Sequence, residues 1–169
     1  MANTYTLIAS STVGSGGAAN ITFSSIPSTY TDLKVTHCLR SNRATDPNDW
    51  VYVSFNSSTS NFSAIILGGS GTTYSYSGFP RVFGIATASG ATASTFGNSD
   101  IYVPNYTSSN YKSWSSDQVS ENNGATAYSE LVAGLWSDTS AITSIILTPR
   151  VGSSFDEYST AYLYGIKNS

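Results

Sequence analysis

Residues 98–149 read NSDIYVPNYTSSNYKSWSSDQVSENNGATAYSELVAGLWSDTSAITSIILTP, and this stretch decides the fold class. Apolar or aromatic runs at 101–103, 111–119, 127–136 and 141–148 alternate with polar clusters of turn-forming residues. Pro104 and Asn105 end the first run, and the segment SDTS separates the last two. This alternation is typical of short antiparallel strands joined by tight turns. No apolar stripe with helical spacing crosses the runs, so the stretch predicts an all-β fold.

The rest of the chain carries the same pattern. Residues 33–40 alternate with period 2, which places Leu33, Val35, His37 and Leu39 on one face of a strand. Residues 50–55 alternate likewise, and further strands are predicted at 5–9, 20–23, 61–67, 72–77, 81–86 and 159–166. Strands at this spacing predict one domain over residues 1–169, an antiparallel two-sheet sandwich of jelly-roll-like type.

The composition favours a chain that works in an assembly. Charged residues make up 10% of the sequence, against roughly 25% in an ordinary domain. Ser, Thr, Gly and Tyr replace them, and Thr and Tyr suit the pleated surface of a sheet. Because a free monomer usually needs more surface charge to stay soluble, this composition is easier to tolerate in a permanently assembled protein.

Several classes of partner are excluded by charge and hydropathy. The seven Lys and Arg residues are dispersed and the net charge is −3, so no nucleic-acid binding is expected. No apolar run approaches the roughly 18 residues that a membrane-spanning helix needs, so no membrane insertion is expected. The start MANTYTLIAS does not resemble a secretory signal, which predicts synthesis in a cytoplasm without export by a cleaved signal. The single cysteine excludes an internal disulfide.

No catalytic set or metal site is predicted. His37 and Cys38 are neighbours on a period-2 strand, so they face opposite sides and cannot form a dyad. The loop at 42–49 contains Asp46, Asn48 and Asp49, but its spacing does not match a calcium-binding loop. Two pairs of acids lie close in sequence, 117 with 121 and 156 with 157, but the sequence does not bring any two acids together across a cleft as glycoside hydrolysis requires. The sequence therefore predicts no catalytic residue, no metal and no cofactor.

A set of aromatic residues gives the candidate binding surface. These residues lie in or beside polar stretches, where exposed rings can stack on sugars, or can instead cover a sheet face or fill a subunit interface. Trp136 ends an apolar strand and is predicted to belong to the core. The candidate glycan or interface aromatics are Tyr74, Tyr76, Tyr106, Tyr111 and Trp114.

Four segments carry a family resemblance: YTLI at 5–8, FSSIPSTYTDL at 23–33, IYVPNYTSSNY at 101–111 and YLYGIK at 162–167. Together they resemble a group of small all-β virion proteins encoded by tailed bacteriophages. The segments lie at both ends and in the middle of the chain. The resemblance implies a structural or adhesive module, commonly a β-sandwich that assembles as an oligomer, and it supplies no catalytic residues.

The function that this resemblance implies is a non-enzymatic capsid decoration or head-fibre protein that docks on the shell. The expected location is the virion, after synthesis in the host cytoplasm. The expected partners are other copies of the chain, with a trimer favoured, and the major capsid protein or other virion proteins. The alternative is a receptor-binding module of a tail fibre or tail tip that binds host surface glycan through aromatic stacking. A polysaccharide-degrading enzyme is the weakest of the three readings.

Overall fold

The structure is a computed structural model that describes residues 4–167. These residues form twelve β-strands and no helix, so the prediction of an all-β chain is confirmed. The strands are β1 (Tyr5–Thr12), β2 (Ile21–Phe23), β3 (Asp32–Ser41), β4 (Asn48–Phe55), β5 (Phe62–Gly69), β6 (Thr73–Tyr76), β7 (Val82–Ala88), β8 (Gly97–Val103), β9 (Lys112–Ser120), β10 (Tyr128–Trp136), β11 (Ile145–Pro149) and β12 (Thr160–Ile166).

The strands pair in two antiparallel ladders. The longer ladder has the order β1–β12–β3–β8–β9–β10–β5–β6, and the shorter one has the order β2–β11–β4–β7. Arg40 and Ser41 at the end of β3 pair in parallel with Thr87 and Ala88 of β7, which joins the ladders into one open twelve-stranded sheet. The sheet is therefore mixed, and the prediction of purely antiparallel pairing misses this short parallel pair.

Buried side chains from both ladders form the core. Burial alternates along β9 and β10, as period-2 strands with one buried face require. Phe55 of β4 meets Trp114 of β9 and Trp136 of β10 at ring-centroid distances of 5.9 and 5.5 Å. Trp136 is 1% exposed, which confirms its predicted place in the core. Each such fully buried ring contributes roughly 1.5–3 kcal/mol of hydrophobic stabilisation.

Arg40 shows why the segment after β7 is ordered. Only 7% of this residue on β3 is exposed. The guanidinium donates hydrogen bonds to the carbonyl oxygens of Ala91, Thr92 and Thr95 at 3.3, 2.9 and 3.0 Å. It also pairs with Asp156 at 3.4 Å. Arg40 therefore satisfies the backbone of the Ala/Thr/Ser-rich segment, which has few apolar side chains of its own to bury.

His37 and Cys38 differ in burial as their alternation predicts. His37 is 3% exposed, with neither ring nitrogen hydrogen-bonded within residues 4–167, whereas Cys38 is exposed. Burial lowers the pKa of His37 to about 3, so the imidazole is neutral in the folded protein at physiological pH.

Candidate functional site

A cleft of about 610 Å³ opens beside β4, β6 and β10 and the loop that follows β11. We call it the aromatic cleft, and its principal residues are Trp50, Tyr74, Tyr76, Phe79, Glu130 and Arg150. Pockets of roughly 300–1,000 Å³ with apolar walls and a few polar groups are the usual binding sites for small ligands.

Strand register brings two of these residues together. Tyr74 of β6 lies opposite Gly68 of β5, and Gly68 lies opposite Glu130 of β10. A Cβ at Gly68 would come within 2.7 Å of the Tyr74 ring and 2.8 Å of Glu130 Cγ. The missing side chain therefore leaves the space through which the Tyr74 hydroxyl reaches Glu130.

Glu130 is a buried acid that fixes the orientation of two rings. Only 3% of the residue is exposed. Trp50 Nε1 donates to its two carboxylate oxygens at 3.2 and 3.0 Å, the Tyr74 hydroxyl donates at 2.7 Å, and Gln118 donates through its side-chain amide. Burial, reinforced by the hydrogen bond to Glu130, raises the pKa of Tyr74 well above its usual range. Because an unpartnered buried carboxylate is costly, these donors and the acid hold one another in place.

The rings of the cleft contact one another. Trp50 and Phe79 are 4.4 Å apart between ring centroids, Tyr74 and Tyr76 are 5.1 Å apart, and Trp50 meets Tyr76 edge-on at 5.9 Å. Tyr76 is 45% exposed, so it offers ring surface to the solvent. The cluster is thus anchored by Glu130 on one side and open at Tyr76 on the other.

Arg150 brings a positive charge to the cleft. Its guanidinium carbon lies 4.5 Å from the Phe79 ring centroid and 5.5 Å from that of Trp50. Its Nε donates to the Tyr52 hydroxyl at 3.1 Å. The ion pairs found within residues 4–167 involve residues 34, 40 and 43, so Arg150 has no acidic partner there.

The loop that carries Arg150 is held by a buried acid. Asp49 is 1% exposed and accepts hydrogen bonds from the backbone nitrogens of Val151 and Gly152, the latter at 2.8 Å. The Arg150 backbone nitrogen also donates to the carbonyl oxygen of Trp50 at 2.8 Å. These contacts fix the base of the Arg150 side chain relative to β4.

The other acids of the predicted polar loop are also engaged. Asp46 pairs with Arg43, whose second terminal nitrogen donates to the carbonyl oxygen of Asn48 at 3.0 Å. Within residues 4–167, no group of three or more His, Cys, Asp or Glu side chains could hold a metal ion. The acids that line the cleft are Asp46 and Glu130, and both carboxylates already accept hydrogen bonds from neighbouring side chains.

The structure separates the five aromatic residues singled out from the sequence. Tyr74 and Tyr76 share the aromatic cleft, whereas Tyr111 is 59% exposed just before β9. Lys112, the residue after Tyr111, pairs with Trp136 of β10, whereas Tyr74 aligns through Gly68 with Glu130 of the same strand. Positions 130 and 136 are six residues apart on β10, so the two rings lie roughly 20 Å apart along the strands.

Tyr106 and Trp114 must be removed from the candidate binding surface. They are 0% and 2% exposed, and their polar groups are bonded inside the chain, Tyr106 to the carbonyl oxygen of Pro27 and Trp114 to that of Val82. The prediction was wrong because the neighbours of both residues in sequence are polar. Trp114 nevertheless lies on the buried face of β9, since alternate residues of a strand face opposite sides, and Tyr106 lies in the turn after β8 with its ring in the core.

Four principal residues of the cleft were missed, namely Trp50, Phe79, Glu130 and Arg150. Two of them carry a usable signal in the sequence. Trp50 lies on the face of β4 opposite Val51 and Val53, and a large aromatic on a non-core face points to a second contact surface. Glu130 shares the inward face of β10 with Val132, and an acid on an apolar face needs specific partners.

We expect Glu130→Gln to loosen the cleft and to lower the free energy of unfolding by about 2 kcal/mol. A carboxylate accepts from all three donors, whereas a glutamine places an NH₂ donor against one of them. Urea unfolding measures the stability, and the emission spectrum of Trp50 reports the change at the ring. Glu157→Gln, at an exposed residue, is the matched control and should change neither. Equal stability of wild type and Glu130→Gln would contradict the role given to the carboxylate.

A second surface feature lies on the outward face of the longer ladder. Ile65, Leu67 and Leu131 are 57%, 55% and 57% exposed. Leu67 is directly opposite Leu131 across β5 and β10, and Ile65 is opposite Ala133. We call these three residues the aliphatic patch.

Comparison of the chain with protein-family models, with curated proteins and with solved structures found no match. Residues 4–167 contain no helix with the length and hydropathy needed to cross a membrane.

Proposed function

We propose that this chain is a non-enzymatic structural protein of a tailed-bacteriophage virion, a capsid decoration or head-fibre protein that packs against the shell. Its two ladders are inferred to form a two-sheet sandwich of jelly-roll-like type. The observation that carries the proposal is the aliphatic patch, because three adjacent aliphatic side chains that are each more than half exposed favour burial against another subunit. After synthesis in the host cytoplasm, the protein is proposed to reside in the virion.

Edge strands support self-association. Within the described pairing, β6 is bonded to β5 alone and β1 to β12 alone, so each leaves one row of backbone groups without a strand partner. The sequence of β6 is TYSY, which has none of the lysines or prolines that usually guard such an edge. We propose a homo-oligomer, with a trimer favoured by the family resemblance. Weak docking of each subunit on the major capsid protein or another virion protein becomes strong when many copies bind together.

We expect the combined change Leu67→Lys and Leu131→Lys to convert a micromolar oligomer into a monomer. Two charges in the aliphatic patch would be buried without partners in the assembled state, and that burial is costly. Analytical sedimentation gives the oligomeric state, and co-sedimentation with empty capsids gives the docking. Val151→Lys, at a valine that is 51% exposed in the loop after β11, is the matched control and should leave both unchanged.

Ionic strength provides a second readout of the same interface. Because the patch is aliphatic, association should depend only weakly on salt. A wild-type protein that is a monomer at micromolar concentration and does not bind empty capsids would remove the decoration proposal.

The aromatic cleft favours a second candidate function, the receptor-binding module of a tail fibre or tail tip. Anchored rings beside Arg150, which has no acidic partner within residues 4–167, suit the recognition of a host surface glycan. The residues that line this cleft are different from those of the aliphatic patch. Glycan binding by the purified protein, with no docking on capsids, would favour this candidate over decoration.

A further inference from the structure

We propose that the aromatic cleft binds an anionic saccharide, with one sugar ring stacked on Tyr76 and the sugar carboxylate held by Arg150. This inference rests on the second candidate function and deepens it by naming the class of glycan. It does not depend on assembly through the aliphatic patch.

Tyr76 is the ring available for stacking. It is 45% exposed, and it is supported by Tyr74 at 5.1 Å, by Phe79 at 5.9 Å and by Trp50 at 5.9 Å. Its three neighbours are each partly buried, so the ring is buttressed from several sides before any ligand arrives. Because little conformational freedom is lost on binding, such a platform binds a flat apolar surface, such as the C–H face of a pyranose, at low entropic cost.

Glu130 is a positioning residue in this site. Its carboxylate accepts from Trp50, Tyr74 and Gln118 and is 3% exposed. It therefore holds the walls of the cleft and has little capacity left to bond a sugar hydroxyl.

Arg150 selects the charge of the ligand. The Arg43 guanidinium at the same cleft is paired with Asp46, whereas Arg150 has no acidic partner within residues 4–167. Its Nε is bonded to Tyr52, and no hydrogen bond from Nη1 or Nη2 is found among those residues. The planar guanidinium is suited to a carboxylate, which it binds through two parallel hydrogen bonds.

The rest of the cleft matches a saccharide better than an apolar ligand. Ser70, Thr72 and Tyr128 line it and carry hydroxyls that can donate to and accept from sugar hydroxyls. The volume of about 610 Å³ lies within the range of small-ligand sites. An apolar ligand would leave these hydroxyls and the Arg150 charge without partners.

The test uses two matched pairs of probes, one member of each pair anionic and the other neutral. The first pair is an oligogalacturonate and its fully methyl-esterified form, and the second is sialyllactose and lactose. Binding is measured by titration calorimetry and by the emission of Trp50. Trp50 is the tryptophan at the cleft, since the other two of the three, Trp114 and Trp136, are buried in the core.

The wild type is expected to bind at least one anionic probe about tenfold or more tightly than its neutral partner. Only the anionic probe carries a carboxylate that can form a charged hydrogen bond with Arg150. Arg150→Gln should reduce that preference to near unity while residual binding of the neutral probe remains. Tyr76→Ser should weaken the binding of both members of the pair by about tenfold. Tyr111→Ser, which removes an exposed tyrosine far from the cleft, is the matched control and should change nothing.

The outcomes separate this inference from the functions on which it rests. Equal binding of anionic and neutral probes would overturn the role of Arg150 and leave a neutral-glycan receptor module standing. No binding of any of the four probes by folded wild type would overturn both the inference and the receptor candidate. Neither result bears on decoration, which capsid co-sedimentation tests separately.

Discussion

Lowering the pH from 6.5 to 4.5 is expected to destabilise the folded protein by about 2 kcal/mol through His37 alone. Burial lowers the pKa of His37 to about 3 in the folded state, and the pKa of an unfolded histidine is 6.5. The unfolded chain therefore binds a proton below pH 6.5 while the folded chain does not. The stability due to neutral His37 is complete above pH 6.5 and is lost progressively as the pH falls towards 3.

The environment of His37 explains why protonation is so unfavourable. Its cross-strand partners are Ser99 of β8 and Ala161 of β12, and Gly84 of β7 packs directly against its ring. Within residues 4–167, no acid forms an ion pair or hydrogen bond with the imidazole. A charge at this position would lie in the core without a partner.

Urea unfolding of wild type and His37→Leu across this pH window isolates the effect. Carboxylates elsewhere titrate in both proteins, so the difference between the two pH slopes belongs to the histidine. Imidazole chemical shifts in the folded wild type give an independent readout that needs no variant. Imidazole shifts that move with a midpoint near pH 6 in the folded protein would contradict the prediction.

We expect Gly134→Ala to lower the free energy of unfolding by about 3 kcal/mol, since added volume in a packed core forces strain on its neighbours. A Cβ at Gly134 of β10 would lie 2.0 Å from Cε2 and Cζ2 of Trp114. The indole cannot easily move, because the ring centroids of Phe55 and Phe83 each lie 5.9 Å from that of Trp114. The indole nitrogen also donates a hydrogen bond to the carbonyl oxygen of Val82 at 3.2 Å. Denaturant unfolding measures the change.

Gly78→Ala is the matched control, because no atom of the described part of the chain lies within 4 Å of its Cβ position. This variant should stay within about 0.5 kcal/mol of wild type. A second test combines Gly134→Ala with Trp114→Phe, which removes the ring atoms that clash. If the steric explanation holds, the double variant should lose less free energy of unfolding than the sum of the two single losses, because the smaller ring leaves room for the added methyl group. Strictly additive losses would contradict the steric explanation.

The strands could be predicted from the sequence because each follows a local rule. Period-2 alternation is visible in β3 and β4 without knowledge of their partners, and each of the twelve strands overlaps a predicted run. The parallel pairing of Arg40 and Ser41 with Thr87 and Ala88 could not be predicted, because a contact two residues long has no periodicity. Strand ends also differed: the run at 141–148 is strand only from Ile145.

The cleft was predictable only in part. Tyr74 and Tyr76 were singled out because aromatic residues in a polar segment are candidates for stacking on a sugar or for a subunit interface. Their junction with Glu130 and Gln118 depends on the register of four strands, and no local pattern encodes that register. Trp50 joins them from β4 through its hydrogen bond to Glu130, a tertiary contact that is equally invisible in the sequence. The same limit explains the errors at Tyr106 and Trp114, which local polarity placed at the surface and tertiary packing buries.

The position of β12 has a consequence for how the chain folds. This strand, the last of the twelve to be synthesised, lies between β1 and β3, with Ile166 opposite both Tyr5 and Asp32. The strands β1 and β3, which are synthesised early, therefore cannot form their ladders with β12 until residues 160–166 leave the ribosome. Contacts so distant in sequence slow the search for the native state and expose open edges to aggregation meanwhile. We expect nascent chains that stop before residue 160 to need chaperones, and refolding from denaturant to take milliseconds to seconds.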